Sequence, residues 1–251
     1  MQCVMTNSIL SQSVKNNGIA VYNVMSNKID FGEDIRNNLA GDLVKYLDKA
    51  GENSNQVNIK VKFNSNASIS EYINKINPDD HIAGLNFAHI KAKADGTVYY
   101  NWNQKFLLRT RQFDDRKYIV KSSPDSIDWI LKEDSKVING YECKKAVLQK
   151  IRNNILVNDT LTTIAWYAPS ITLPIGPGSY IGLPGIIVEL HEKTTSYYLN
   201  TIEFLEEVKI DPNAIEGKNI SYEDFNKMRK KFDNNLYKKI FDDNKKMPRN
   251  Y

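Results

Sequence analysis

Three histidines, two cysteines and a scatter of carboxylates are the groups in this 251-residue chain that can do chemistry. The histidines are His81, His89 and His191. Asp79, Asp80 and His81, with His89 and Asp95, supply ligand types that suit a metal ion, but the Asp-Asp-His run follows Pro78 and reads better as a plain solvated loop. A catalytic histidine needs a nucleophile or carboxylate beside it, and the chain contains neither a Gly-x-Ser-x-Gly elbow nor a His-Glu-x-x-His helix. His191-Glu192 follows an apolar run and reads as the exposed end of a strand. The acid pairs Asp114/Asp115 and Glu206/Glu207 are sequence neighbours, and in a strand neighbours point to opposite faces, so neither forms a catalytic dyad. Cys3 and Cys143 lack the close Cys/His spacing of a zinc site; Cys143 reads as a small buried residue. No catalytic residue, metal or cofactor is expected from these patterns.

Aromatic and basic side chains offer binding instead. Trp102, Trp129 and Trp166 can line an apolar pocket or fill a core. Lys105-Phe106, Arg109, Arg111 and Phe113 interleave charge with rings, as single-stranded nucleic-acid surfaces do. Against that reading, 34 basic and 30 acidic residues leave a formal net charge of only +4, and no nucleic-acid partner is expected.

The elements that must position these groups centre on Leu173 to Leu190. This stretch holds four of the twelve glycines and three of the eight prolines, followed at once by Ile186, Ile187, Val188 and Leu190. Glycine permits positive φ, whereas proline fixes φ and removes a donor. Interleaved, they predict a stiff turn between two strands, Leu161–Ala168 before it and Ile186–Leu190 after it. The spacing Gly176, Gly178, Gly182, Gly185 is not that of a phosphate-binding loop, and no helix follows to hold an anion.

Elsewhere the pattern is of short strands and polar turns. Gly18–Met25 and the alternating Val57–Phe63 read as strands. Ile35, Leu39, Leu43, Tyr46 and Leu47 give a helical stripe over 33–50, and Ser68–Lys75 reads as a short helix. Strands are expected at Thr97–Tyr100, within Asn101–Gln112, at Lys117–Lys121, Ile127–Lys132, Tyr141–Ile151 and Tyr197–Phe204. Turns fall at Asp95-Gly96, Asp114-Asp115, Gly140 and Asn153-Asn154. Ser221-Tyr222-Glu223-Asp224 resembles a capping box. After it, Phe225, Met228, Phe232, Leu236 and Ile240 form an apolar stripe ringed by lysines, which can pack on its own domain or touch an anionic membrane over 221–241. No run of 18 apolar residues exists, so no helix is expected to cross a membrane. The fold class is mainly β (α+β): an antiparallel meander forming a curved sheet or open barrel with a covering helix, plus a C-terminal amphipathic helix.

Ile181-Gly182-Leu183-Pro184-Gly185-Ile186-Ile187 resembles the signature of the GLPGLI family of exported Gram-negative proteins. Trp129, the phrase Lys136 to Ala146 (KVINGYECKKA), Ala165-Trp166-Tyr167 and Gly176-Pro177 fall in the order of that family, over roughly residues 115–205. The resemblance implies a periplasmic or secreted protein and supplies no catalytic residues. Residues 1–13 lack a basic n-region and a long apolar core, yet end in Ser-Gln-Ser like the tail of a leader. The expected organisation is residues 1–17 as leader remnant or frayed terminus, 18–210 as one β-rich domain, and 211–251 as helix and tail. The expected function is a non-enzymatic binding or carrier module for an apolar ligand, peptide or envelope protein, with Trp129, Trp166, Tyr180, Leu183 and Pro184 as ligand-binding candidates. Gly176, Pro177, Gly182, Leu183, Pro184 and Gly185 form the structural motif. A subunit role in an outer-membrane complex is the main competitor, and a hydrolase with an unrecognised site the lesser one.

Overall fold

The structure, a computed structural model, describes residues 16–26, 41, 45, 57–74, 96–153 and 158–232. Strands β1 (Gly18–Ser26), β2 (Val57–Phe63), β3 (Ala67–Asn74), β4 (Val98–Asn101), β5 (Phe106–Phe113) and β6 (Arg116–Ser122) form one antiparallel meander. A second meander comprises β7 (Trp129–Ile138), β8 (Tyr141–Asn153), β9 (Asn158–Ala168), β10 (Ile186–His191) and β11 (Thr195–Phe204). β1 pairs with β11 and fuses the two. The short strand β12 (Lys218–Ser221) adds to β6 in parallel, so the twelve-stranded sheet is mixed, open, and ordered β12-β6-β5-β4-β3-β2-β1-β11-β10-β9-β8-β7.

Connectivity forces this sheet to wrap. β6 and β7 lie ten strand spacings apart along the sheet. At about 4.8 Å per spacing a flat sheet would hold them roughly 48 Å apart. The chain from Ser122 to Trp129 can stretch to only about 25 Å, and part of it is a 3-10 turn at Pro124–Ser126. The two ends of the sheet must therefore curl toward each other, giving the curved, unclosed sheet that the strand pattern predicts.

One face of the wrapped sheet is mainly apolar, with Ser70 and Arg109 among its polar exceptions. Ala20, Tyr22 and Val24 of β1, Val57, Ile59, Val61 and Phe63 of β2, Ala165 and Tyr167 of β9, and Tyr197 and Leu199 of β11 alternate onto it and are buried. Turn chemistry sets the register. Asn139 and Gly140 both have positive φ, as a two-residue hairpin of the primed type requires. The Asn64 side-chain oxygen accepts from the backbone N–H groups of Asn66 and Ala67, both at 2.9 Å, closing the β2–β3 turn. That hairpin overturns the short helix expected over Ser68–Lys75. β3 pairs with β2 on one side and β4 on the other, and two ladders outweigh a local helical preference.

A helix over the described residues 222–232 follows β12. Ser221 caps it, its hydroxyl accepting from the Asp224 N–H at 3.0 Å, as the motif predicts. Phe225 of its apolar stripe is buried among Tyr118, Val120 and Phe113, and Phe232, though exposed, meets Phe113 edge-on. Leu236 and Ile240 lie outside the described residues, as does the stripe expected over 33–50 except Gly41 and Lys45, which are helical and exposed. Among the described residues no helix is long and apolar enough to cross a membrane.

Candidate functional site

The segment Pro169–Gly185 lies on the apolar face and fills the interior of the curl. Buried irregular chain is costly because its amides lack ladder partners. Here Pro174 and Pro177 have no N–H to satisfy, and their carbonyls accept from Gly182 at 3.0 Å and from Tyr180 at 3.2 Å. Ile186 N–H donates to Ile171 and Ile187 N–H to Ile175, each at 3.0 Å, which ties the segment to β10. Gly182 has φ of +88°, a left-handed turn that favours glycine. At Gly185 the backbone lies so close to the Ala168 carbonyl that a Cβ would overlap it.

The β10–β9 register slips between Ile187 and Glu189, and such a bulge leaves ladder groups unpaired. The Ile187 carbonyl is satisfied instead by the Tyr22 hydroxyl, which donates to it at 2.8 Å from a fully buried position on β1. Burial pushes the Tyr22 phenol far above its ordinary range. Further contacts bind the segment to strands remote along the sheet. Gly178 N–H donates to Ser70 of β3 at 3.2 Å, and Arg109 of β5 donates to the Ser179 hydroxyl at 3.1 Å. Ile181 packs with Val98, Tyr100 and Leu107, while its carbonyl accepts from the Trp129 indole at 2.9 Å. Ile181 thus bridges β4 and β5 to the terminal strand β7.

The predicted ligand-binding residues divide between two faces. Trp129, Tyr180 and Leu183 come together on the inner side. The Trp129 and Tyr180 rings stand 6.3 Å apart, Tyr180 and Tyr197 stand 6.2 Å apart, and Leu183 is buried in the core cluster on which these rings pack. Pro184 and Gly182 are exposed at the turn. Trp166 lies on the opposite face, in register with Lys145 of β8 and Glu189 of β10. The Lys136 ammonium sits 4.5 Å and that of Lys145 5.9 Å from its ring centroid.

This outer face carries a polar cluster that the sequence patterns did not reveal. Glu189 accepts from Lys136 at 2.6 Å and lies 3.3 Å from His191 Nε2; His191 Nδ1 lies 3.0 Å from the Ser196 hydroxyl. The i, i+2 spacing of Glu189 and His191 was visible, but Ser196 and Lys136 join them only through strand register. Cys143 is a free, buried thiol, pushed up to about 11 by burial and by Glu189, with Lys136 opposing. His81, His89, Asp79, Asp80 and Cys3 lie outside the described residues. Among the described residues no group of three His, Cys, Asp or Glu side chains is placed to hold a metal.

A shallow cleft of about 220 Å³ opens on the rim, lined by Asn16, Ser65, Trp102, Thr172, Leu173 and Pro174.

The chain is thus an open, wrapped β-sheet protein with its interior closed by its own Gly/Pro segment. The sequence model of a family described as "Protein of unknown function (Porph_ging)" matches residues 150–189, the stretch from late β8 to Glu189 that contains that segment. The family name differs from the one that the hexapeptide resembles. Among solved structures, PNGF-II in two crystal forms is similar, with TM-scores of 0.50 and 0.51 at 12% identity. The matches cover 85% of this chain but 33% and 32% of the PNGF-II chains, so this chain spans about a third of their length. The likeness is one of fold. The Mycobacterium tuberculosis lipoprotein LppX aligns over 79% of this chain and 91% of its own at 11% identity, with a TM-score of 0.28, too low to bear on the fold. No curated protein matches the sequence.

Proposed function

We propose that this chain is a non-enzymatic binding module of the cell envelope, periplasmic or secreted, that engages an apolar ligand or peptide at the Gly/Pro turn. The carrying observation is the Trp129–Tyr180 ring pair, half-buried and locked by the indole bond to the Ile181 carbonyl, beside the exposed Pro184. Rigid aromatic groups bind with little loss of side-chain freedom. Leu183 is buried in the core on which this surface packs, whereas Trp166 belongs to the other face. A variant with Trp129 as its sole tryptophan (Trp102→Phe with Trp166→Phe) tests the reading. Titration with apolar peptides and detergent-solubilised lipid should shift its emission. An unchanged spectrum, with no apolar molecule copurifying in native mass spectrometry, would refute it.

One observation favours a hydrolase, the Ser196–His191–Glu189 chain of contacts. It lies flat on a sheet, however, where backbone N–H groups belong to ladders, and acyl transfer needs donors aimed at an oxyanion. Glu189 is also held by Lys136. We expect a serine-directed fluorophosphonate to leave Ser196 unlabelled; an adduct there would replace the binding reading with the enzymatic one.

A further inference from the structure

We infer that the rim cleft around Trp102 is a second binding site, for one neutral pyranose unit of a saccharide. Its volume of about 220 Å³ is below the roughly 300–1,000 Å³ of ordinary small-molecule pockets, so it suits one ring and not an acyl chain. Among the described residues it is lined by Asn16, Ser65, Trp102, Thr172, Leu173 and Pro174. None of these six is ionisable, so they offer no cation to a desolvated phosphate, nucleotide or uronic acid, and a neutral ligand fits them better.

What remains is an indole with apolar neighbours, bordered by an amide and hydroxyls. A pyranose offers the complement, a C–H face for the ring and hydroxyls that both donate and accept. Asn, Ser and Thr side chains also do both. Among the described residues, neither Asn16 nor Thr172 uses its side chain in a hydrogen bond. The rest of the rim is held in place. The Trp102 indole donates to the Ser65 carbonyl at 3.0 Å, and its backbone N–H to Asn66 at 3.2 Å. Asn103 donates to the Asn66 side chain at 2.7 Å, bracing one turn against the next. Leu173 anchors the third wall in the core. A site fixed before binding lowers the ordering cost.

The site is distinct from the Trp129 surface, and each can fail alone. Saturation-transfer NMR on the full chain with neutral hexoses, N-acetylhexosamines and their short oligomers should show transfer to ring C–H protons. Trp102→Ala should abolish it. Since Trp102 also packs on the core, Asn16→Ala and Thr172→Val, each with unchanged circular dichroism, provide the second arm. Each should weaken binding about tenfold, the loss of roughly one neutral hydrogen bond, while Trp129→Phe leaves it unchanged. No transfer from any neutral sugar would overturn the inference. So would equal binding by Asn16→Ala and Thr172→Val, or preference for a uronic acid or sugar phosphate.

Discussion

Replacing Tyr22 with phenylalanine isolates one contact on which the interior depends. The ring stays in its buried slot and only the hydroxyl is removed. That hydroxyl is the donor to the Ile187 carbonyl at 2.8 Å, at the point where the β10 bulge interrupts the ladder. Ile187 is 1% exposed, so water does not take over. A buried acceptor stripped of its partner costs about 1–3 kcal/mol. We expect about 2 kcal/mol from urea unfolding, seen as a lower midpoint with an unchanged slope, and a Tm lower by about 4–8 °C for a chain of this size. The half-exposed Tyr198→Phe serves as control and should stay within about 0.5 kcal/mol. The pH dependence gives a second, independent readout. The folded phenol is raised by burial, whereas an unfolded one ionises near 10. Between those values the unfolded chain holds fewer protons, so stability is intact below about pH 10 and falls above it by up to about 1.4 kcal/mol per unit. That increment should be missing from Tyr22→Phe. A variant within about 0.5 kcal/mol of the parent, with the same alkaline slope, would refute the claim that this bond holds the bulge.

Other substitutions probe the remaining contacts. Gly185→Ala forces a Cβ into the Ala168 carbonyl and should cost several times more than Gly182→Ala, where space is open and only the left-handed φ of +88° opposes, worth about 1–2 kcal/mol; thermal melts of the pair rank the two effects. Phe225→Ala should cost about 3 kcal/mol or more, because it opens a hole between Tyr118 and Phe113; a loss under about 1 kcal/mol in urea would mean that the helix is not docked there. Lys136→Met should change stability by less than about 1 kcal/mol despite the 2.6 Å ion pair, because Lys136 is substantially solvated. Cys143 should resist iodoacetamide at neutral pH until the protein unfolds, since the thiol is buried and pushed up to about 11; rapid native labelling would contradict its position.

Much of the sheet is legible residue by residue, because alternation is a local property. β2 runs over the residues where Val57, Ile59, Val61 and Phe63 alternate, and the Gly140 turn falls where the sequence puts it. β3 reads as a helix because Ile69 and Ile73 stand four apart, while the two strands that claim it lie elsewhere in the chain. The candidate site suffered more. Whether Trp129 and Trp166 share a face depends on a parity counted across three strands, and the β7–β8 register slips between Leu131 and Ser135. That slip is of two residues and preserves the parity, but a one-residue error in any of these pairings would reverse the answer. The Ser196–His191–Glu189–Lys136 cluster was hidden for the same reason.

The unusual composition of residues 173–185 follows from the wrapping. A sheet whose ends are joined by a link too short to span it flat must curl, and its inside must be filled to near crystal density. A helix would satisfy its own amides but measures about 10 Å across with its side chains. A plain loop is thinner but leaves N–H groups without partners. Proline removes donors outright, and glycine lets the chain pass against Ala168 and turn at Gly182. Leu173, Ile175, Ile181 and Leu183 then supply the apolar volume. Each such side chain removed from water contributes about 1.5–3 kcal/mol, so the same residues that resemble a family signature are also those that close the interior. A motif that closes the interior leaves both proposed binding surfaces outside it, one at the turn where Pro184 emerges and one at the rim beside Trp102.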